Sequence, residues 1–203
     1  MEDFLDEIPD VELCGACVTL RLLHEADAEA LFAVIDKSRG FLARHLPWPA
    51  ECTSVEDVAA RIESWEIQSQ MANGACWGVF AKGADSLNPA DSLKPEQKNV
   101  LVGVIILGWI QAAHRSASVS YWLGEPFTGR GFATDALRTL SRFAFDTLCL
   151  NRLEISASVN NPASIAVATR AGFAQEGTCR EYEFINGHFE DHQRLSLLAR
   201  DLQ

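Results

Sequence analysis

The fold is decided by Tyr121-Trp-Leu-Gly-Glu-Pro-Phe-Thr-Gly-Arg-Gly-Phe-Ala133, in which an apolar strand leads into a glycine-containing loop and then into a helix. The first N–H groups of a helix have no acceptor within it, and the positive end of the helix dipole lies beside them. They form an anion site that suits a pyrophosphate, which Gly129 and Gly131 would let the backbone approach and to which Arg130 would add a charge. Taken alone, such a loop is more often an ordinary strand-to-helix turn.

Hydrophobic spacing on both sides of this loop predicts a mixed α/β sheet with helices packed on it. We expect the first helix to have Asp27 as its N-cap, the stretch Gly40–Pro49 to be a loop, and Thr53-Ser-Val-Glu56 to form a capping box. Gly172 is expected to end the last helix, and Asn186-Gly187 to turn a hairpin. The predicted strands are 18–23, 76–82, 99–110, 117–123, 152–159, 173–185 and 189–199, and the predicted helices follow residue 27 and span 55–70, 131–148 and 163–171.

A second motif follows the next predicted strand and consists of Asn161-Pro-Ala-Ser164 and then Arg170-Ala-Gly-Phe173. On these residues and on Thr128-Gly-Arg-Gly-Phe-Ala133, which is similar to an acetyl-CoA pyrophosphate loop, the chain resembles the GNAT superfamily of N-acetyltransferases. Leu46-Pro-Trp-Pro49 and Glu183-Phe-Ile-Asn-Gly187 are similar to the RimJ/RimL group, which acetylates the N-terminal amines of ribosomal proteins. The resemblance implies a GNAT acyl-CoA N-acyltransferase fold, with a central, mostly antiparallel sheet, a splayed parallel pair and flanking helices.

The resemblance also implies how acetyl-CoA is held, and it implies no metal. Strands 117–123 and 152–159 would splay apart, the pantetheine arm would bind the exposed backbone between them, and an N–H group near Trp122 or Leu123 would face the thioester carbonyl. The family loop usually opens with Gln or Arg where this chain has Thr128, so Arg130 or backbone groups would have to replace that contact. The expected acetyl-CoA contacts are Trp122, Leu123, Thr128, Gly129, Arg130, Gly131, Phe132, Ala133, Asn161 and Ser164.

The same resemblance gives Glu183 as the general base for the amine, Ser164 as the hydroxyl beside the leaving thiolate, and Tyr121 as a substrate contact. The alternatives are that Glu183 is a surface carboxylate and that Ser164 only caps its helix together with Asn161. Many relatives carry a carboxylate where this chain has Ser118, and its absence shifts the base assignment toward Glu183.

Further side chains are candidates for the acceptor pocket. Trp48 would line this pocket and contact the substrate. The alternative is that it packs in the core beneath its loop. His114 and His188 are the other titratable candidates, although a lone histidine is more often a hydrogen-bonded surface residue. Arg44 and His45 would meet an acidic acceptor.

Length and composition predict one globular domain, 1–203, with an N-terminal extension at 1–17 and an inserted flexible loop at 82–99 that contains a near-duplication at 84–95. The net charge of −11 argues against a nucleic-acid partner. The acidic start has no signal-peptide pattern and no apolar run could span a bilayer, so we expect a cytoplasmic protein without a membrane partner. Cys14 and Cys17 form a CxxC without a second ligand pair, which favours a buried or edge thiol pair over a zinc site.

The sequence therefore predicts an N-acetyltransferase that moves acetyl from acetyl-CoA to a primary amine by direct attack in a ternary complex. The RimJ/RimL resemblance implies the N-terminal α-amine of a ribosomal protein as acceptor, and it suggests a homodimer. One alternative is a small cationic amine, such as a polyamine or an aminoglycoside, which the acidic chain would attract. Another is a non-catalytic acyl-CoA-binding sensor that keeps the fold without turnover.

Overall fold

The computed structural model describes residues 7–82 and 99–202. Within these ranges the strands form one mixed sheet, and helices pack on both of its faces. The strands are β1 Leu13–Cys14, β2 Val18–Leu22, β3 Gly74–Ala81, β4 Val100–Gln111, β5 Ser116–Leu123, β6 Arg152–Ser158, β7 Ala174–Ile185 and β8 His188–Leu198. The helices of nine residues or more are α1 Ala28–Leu42, α2 Val55–Gln70, α3 Phe132–Asp146 and α4 Pro162–Arg170.

The sheet has the strand order β1-β2-β3-β4-β5-β6-β8-β7. Strands β5 and β6 run parallel, and every other neighbouring pair in the described part of the chain is antiparallel. The last strand in the chain, β8, lies between β6 and β7. The residues of His188–Leu198 are therefore next to β6. The predicted sheet, mostly antiparallel with one parallel pair, is confirmed.

Two apolar layers cover the two faces of this sheet. One layer contains Phe132, Leu137 and Leu140 of α3, all fully buried. The layer on the opposite face contains Leu31 of α1 and Ile62 of α2. Because successive strand residues point to opposite faces, the face to which a side chain of β5, β6 or β8 points decides which layer or groove it joins.

The first helix has Asp27 in the N-cap position as predicted, but it continues beyond its predicted end. The expectation of a loop from Gly40 was wrong at its start, because α1 continues to Leu42, whose side chain is buried in the core. A Cβ on Gly40 would meet no atom within 4 Å, so nothing in the packing explains a break there. Asp27 does precede α1, but its carboxylate accepts from the His24 N–H at 3.0 Å and from the Arg21 guanidinium instead of capping α1.

The capping box at the start of α2 was predicted one residue too early. The N–H of Asp57 donates to Ser54 Oγ at 3.2 Å, and the N–H of Ser54 donates back to Asp57 Oδ2 at 2.9 Å. The N–H of Thr53 also donates to this oxygen, at 2.8 Å. The box is thus formed by Ser54 and Asp57, in place of Thr53 and Glu56.

The CxxC segment joins the N-terminal residues to α3. One carboxylate, Asp135 in the first turn of α3, accepts from the N–H groups of Ala16 at 3.1 Å, Cys17 at 2.7 Å and Val18 at 3.0 Å. Cys17 is buried, and burial raises the pKa of its thiol to about 12, while Cys14 on the edge strand β1 is exposed. A Cβ on Gly15 would lie 2.6 Å from Asp135 Oδ2, so this glycine makes the close approach possible.

We expect Asp135→Asn to lower the free energy of unfolding by about 2–4 kcal/mol, because an amide replaces the carboxylate that accepts from three backbone donors. Thermal unfolding followed by circular dichroism measures this, at roughly 2–4 °C per kcal/mol for a chain of this size. Asp146→Asn, at the exposed end of the same helix, is the matched control. Equal melting temperatures for the two variants would contradict the structural role of Asp135.

Two further expectations concern the inserted loop and membrane-spanning helices. The predicted loop at 82–99, with its duplication at 84–95, lies outside the described residues except for Lys82 and Asn99 at its ends. Among residues 7–82 and 99–202, none of the helices has the length and apolarity needed to cross a bilayer.

Candidate active site

The parallel strands β5 and β6 are paired over only part of their length. Their register joins Ser116 to Arg152, Ala117 to Leu153 and Ser118 to Glu154, and within the described chain no further pair follows. Both strands continue beyond this point, since β5 runs to Leu123 beside β4 and β6 runs to Ser158 beside β8. A gap therefore opens between the carboxyl ends of the two strands, and we call it the strand gap.

Backbone groups of β5 line the strand gap in alternation. The N–H of Gly124 donates to Val102 O of β4 at 2.8 Å, and the carbonyl of Arg115 accepts from the N–H of Arg152 at the start of β6 at 3.1 Å. Since backbone groups alternate along a strand, even-numbered residues face β4 and odd-numbered residues face β6. The N–H of Leu123 therefore faces the gap, whereas the N–H of Trp122 faces β4.

The glycine-containing loop has the geometry of an anion site at the start of α3. Gly129 has φ +76° and Gly131, the N-cap, has φ +84°, which glycine adopts readily. The first hydrogen bond of the helix runs from Asp135 N–H to Gly131 O at 3.0 Å, so the N–H groups of Phe132 and Ala133 have no acceptor within the helix. The Thr128 hydroxyl is used within the loop, where it donates to Glu125 O at 2.9 Å. Arg130 is the residue of the Thr128–Ala133 loop that carries a positive charge.

On the α3 and α4 face of the sheet, Tyr121 and Ser164 meet across the strand gap. The Tyr121 hydroxyl donates to Ser164 O at 2.9 Å, and Ser164 Oγ donates to the Tyr121 oxygen at 3.2 Å. Burial raises the pKa of the Tyr121 phenol to about 12, so it stays protonated at neutral pH. Asn161 Oδ1 accepts from the Ser164 N–H at 3.1 Å, so this asparagine caps α4.

Two tryptophans lie on the opposite face, toward α1 and α2. Trp122 is buried there, and its ring centroid is 5.5 Å from that of Trp48. The Arg61 guanidinium lies 4.9 Å from the Trp48 ring. Trp48 is half-buried, so it both packs on the core and presents a surface beside the gap.

Glu183 lies on β7 directly opposite Glu190 of β8. Its side chain is 40% exposed, and its Oε2 lies 3.3 Å from His192 Nε2. Glu190 is only 5% exposed and accepts from the Ser158 hydroxyl at the end of β6. Leu195 and Leu197 of β8 belong to the layer beneath α3, so Glu190 and His192, which lie an odd number of residues away on the same strand, point to the opposite face.

The other sequence candidates divide between this region and distant places. His114 precedes β5 at its paired end, away from the gap, and is exposed. Ser118 lies in the paired segment, and its hydroxyl donates to Gly108 O at 2.9 Å. His188 Nε2 lies 3.2 Å from Glu190 Oε1. The loop containing Arg44 contacts the turn between β7 and β8. Asn186 Nδ2 in this turn donates to Ala43 O at 3.0 Å and to Arg44 O at 3.5 Å.

Sequence reasoning missed Ser158, Glu190 and His192. Each is buried, and the three come together because β8 lies between β6 and β7. The alternation of polar side chains at His188, Glu190 and His192 on one face of a predicted strand was the available signal. A strand face that carries only ionisable residues is unusual for a core strand and indicates a polar site.

Comparison with known proteins identifies the family. The family model described as Acetyltransferase (GNAT) domain matches residues 18–174, so the chain belongs to the GNAT acetyltransferase family. It is 32% identical over 185 residues to the putative ribosomal N-acetyltransferase YdaF of Bacillus subtilis (strain 168), covering 91% of this chain and 92% of that protein.

Solved structures agree with this result. RimL, the ribosomal L7/L12 alpha-N-protein acetyltransferase in complex with coenzyme A, superposes with a TM-score of 0.78 at 25% identity, covering 95% of this chain and 97% of that one. The microcin C7 self-immunity acetyltransferase MccE, in complex with acetyl-CoA and AMP, has a TM-score of 0.78 at 26% identity, covering 90% and 92%. The predicted RimJ/RimL-like enzyme and its acetyl-CoA co-substrate are confirmed, and the sensor alternative is not favoured.

Proposed function

We propose that this enzyme acetylates the N-terminal α-amine of a ribosomal protein. The observation that carries the proposal is the strand gap, with the Tyr121–Ser164 pair on one face of the sheet. On the other face, Glu190 bonds Ser158 at the end of β6 and lies opposite Glu183 of β7. A thioester and an amine that approach from opposite faces can meet in such a gap without a covalent enzyme intermediate. The names of YdaF and RimL support a ribosomal acceptor.

The chain's own groups fit acetyl-CoA, which supplies an activated acetyl thioester when it is bound. The unpaired N–H groups at the start of α3 suit the pyrophosphate, and Gly129 and Gly131 allow its close approach. Unpaired backbone of β5 suits the amide-containing pantetheine arm. The N–H of Leu123, which faces the gap, is our candidate for the donor that stabilises the oxyanion.

Two hydroxyls are placed to assist the departure of the thiolate. The Tyr121 phenol stays protonated, and Ser164 Oγ is 3.2 Å from it. We infer that the Ser164 hydroxyl, which donates to the Tyr121 oxygen in this structure, turns to donate a hydrogen bond to the leaving thiolate, while Tyr121 holds the serine through its bond to Ser164 O. The capping bond from Asn161 to the Ser164 N–H is compatible with this role, because it uses the backbone and leaves the hydroxyl available.

Glu183 is the candidate base on the amine side of the gap. Attack requires a neutral amine, and an N-terminal amine with a pKa near 8 arrives mostly protonated at neutral pH. Glu183 is partly exposed, so an acceptor can reach its carboxylate. Ser118, at the position where many relatives carry a carboxylate, lies in the paired segment and bonds to Gly108 O, so it offers no competing base.

We also propose that the enzyme works in the cytoplasm as a homodimer. Phe184 and Phe189 of the β7–β8 hairpin are 58% and 60% exposed, and their rings pack edge to face with centroids 5.0 Å apart. An exposed aromatic cluster of this kind supports a protein contact. Light scattering on the purified protein would contradict the dimer by returning the 22.3 kDa mass of one chain.

Mass spectrometry of acetylated products tests the acceptor. We expect acetyl-CoA to modify a synthetic peptide with the L7/L12 N-terminus at its α-amine. The same peptide with a blocked α-amine should remain unmodified even where it contains lysine. Preferential acetylation of spermidine or an aminoglycoside would overturn the ribosomal acceptor and leave the acetyltransferase activity intact.

A further inference from the structure

Two carboxylates, Glu183 and Glu190, face each other across the β7–β8 hairpin. They are direct partners in the strand register, so their side chains project from the same face at neighbouring positions. Like charges at such positions destabilise a sheet. A compensating cation is therefore expected between them.

Within residues 7–82 and 99–202, the protein places no permanent cation on this pair. Glu190 accepts from the Ser158 hydroxyl and lies 3.2 Å from His188 Nε2. The Ser158 hydrogen bond holds the pKa of Glu190 below its usual range against the opposing effect of burial, with His188 and His45 acting in the same direction. Among the described residues, neither carboxylate forms an ion pair with a lysine or an arginine.

His192 completes the surroundings of the pair: its Nε2 lies beside Glu183, and its Nδ1 has no hydrogen-bond partner among the described residues. The residue is only 5% exposed. Its Nε2 points to Glu183 at 3.3 Å, and burial lowers the pKa of the imidazole, so it is mostly neutral at pH 7. A buried ring nitrogen without a hydrogen-bond partner beside a buried anion indicates a place for a polar ligand.

We propose that Glu183 and Glu190 together form a binding site for the primary ammonium group of the acceptor, in which Glu190 holds the cation and Glu183 takes its proton. The site lies beside the strand gap, because Ser158, which bonds Glu190, is the last residue of β6. It lies on the face of Trp122, opposite the Tyr121–Ser164 pair. This inference rests on the proposed amine acetylation and adds Glu190 as the residue that selects a cationic acceptor.

Steady-state kinetics of Glu190→Gln test the site. We expect the KM for a peptide with a free α-amine to rise about 10- to 100-fold, as for loss of a hydrogen bond to a charged group. The kcat should change far less, and the KM for acetyl-CoA should not change, because Glu190 lies on the acceptor side. Glu190→Asp should recover part of the acceptor affinity. Glu181→Gln, which removes an exposed charge from the same hairpin, is the matched control.

Calorimetry provides a readout without turnover. On the enzyme saturated with coenzyme A, the wild type should bind the free-amine peptide better than its N-acetylated form, and Glu190→Gln should lose this preference. An unchanged preference and KM in Glu190→Gln would overturn the site, as would a wild type that binds neither the peptide nor spermidine. If spermidine binds in a Glu190-dependent manner and the peptide is not acetylated, the ribosomal acceptor is wrong and the ammonium site stands.

Discussion

Gly131→Val is expected to weaken coenzyme A binding by about 100-fold or more. A β-branched residue at φ +84° is strained by roughly 1–2 kcal/mol, and its side chain would project at the N-cap where the phosphates approach. Displaced N–H groups would lose charge-assisted hydrogen bonds of about 1.5–3 kcal/mol each. The strain lowers the stability of the free and the bound enzyme alike, so the loss of affinity comes from the hydrogen bonds. Two of them are worth about 3 kcal/mol, which corresponds to about two decades in the dissociation constant measured by calorimetry.

Gly187→Val is the matched control for backbone strain. Gly187 has φ +83° in the β7–β8 turn, and a Cβ there would meet no atom within 4 Å. It should therefore lose a similar amount of stability and still bind coenzyme A. Equal affinities in wild type and Gly131→Val would show that the phosphates bind elsewhere, and the assignment of Thr128–Ala133 to the cofactor would fail.

The elements around this loop were predictable because their periodicity is local. Helix α2 was predicted at 55–70 and is found at Val55–Gln70, and Gly172 ends α4 with φ +101° as expected. The Asn186-Gly187 turn has positive φ at both residues, which an Asn-Gly pair favours in a tight hairpin. Such features depend on neighbours within a few residues, and the sequence displays those neighbours directly.

Features that depend on distant pairing were not predictable. Helix α1 passes through Gly40 because the burial of Leu42 against the sheet outweighs the weak helix propensity of one glycine. Ser158 and Glu190 meet because β8 lies between β6 and β7, a strand order that no local pattern encodes. The same pairing places His192 beside Glu183, so the sequence motifs identified Glu183 as a candidate and not the residues around it.

Glu183→Gln is expected to lower kcat about 10²- to 10⁴-fold at neutral pH, because glutamine cannot remove the proton from the incoming amine. Coenzyme A binding should be unchanged, since Glu183 lies across the sheet from the Tyr121–Ser164 pair. The deficit should shrink as the pH rises above the amine's pKa near 8, where the amine already reaches the enzyme neutral. Initial rates measured from pH 6 to about 10 test the loss of kcat at neutral pH and its decrease at high pH. The upper limit is near the pKa of a lysine amine, roughly two units above that of the N-terminal amine.

This pH dependence separates proton removal from a structural role for Glu183. A variant that only disturbed the hairpin would lose activity equally at every pH, and Glu181→Gln gives the baseline for losing one negative charge in that hairpin. A deficit that stays constant across the range would remove Glu183 as the base. In that case the proton would have to leave through another group, and His192, which is buried and lies 3.3 Å from Glu183, is a group able to accept it.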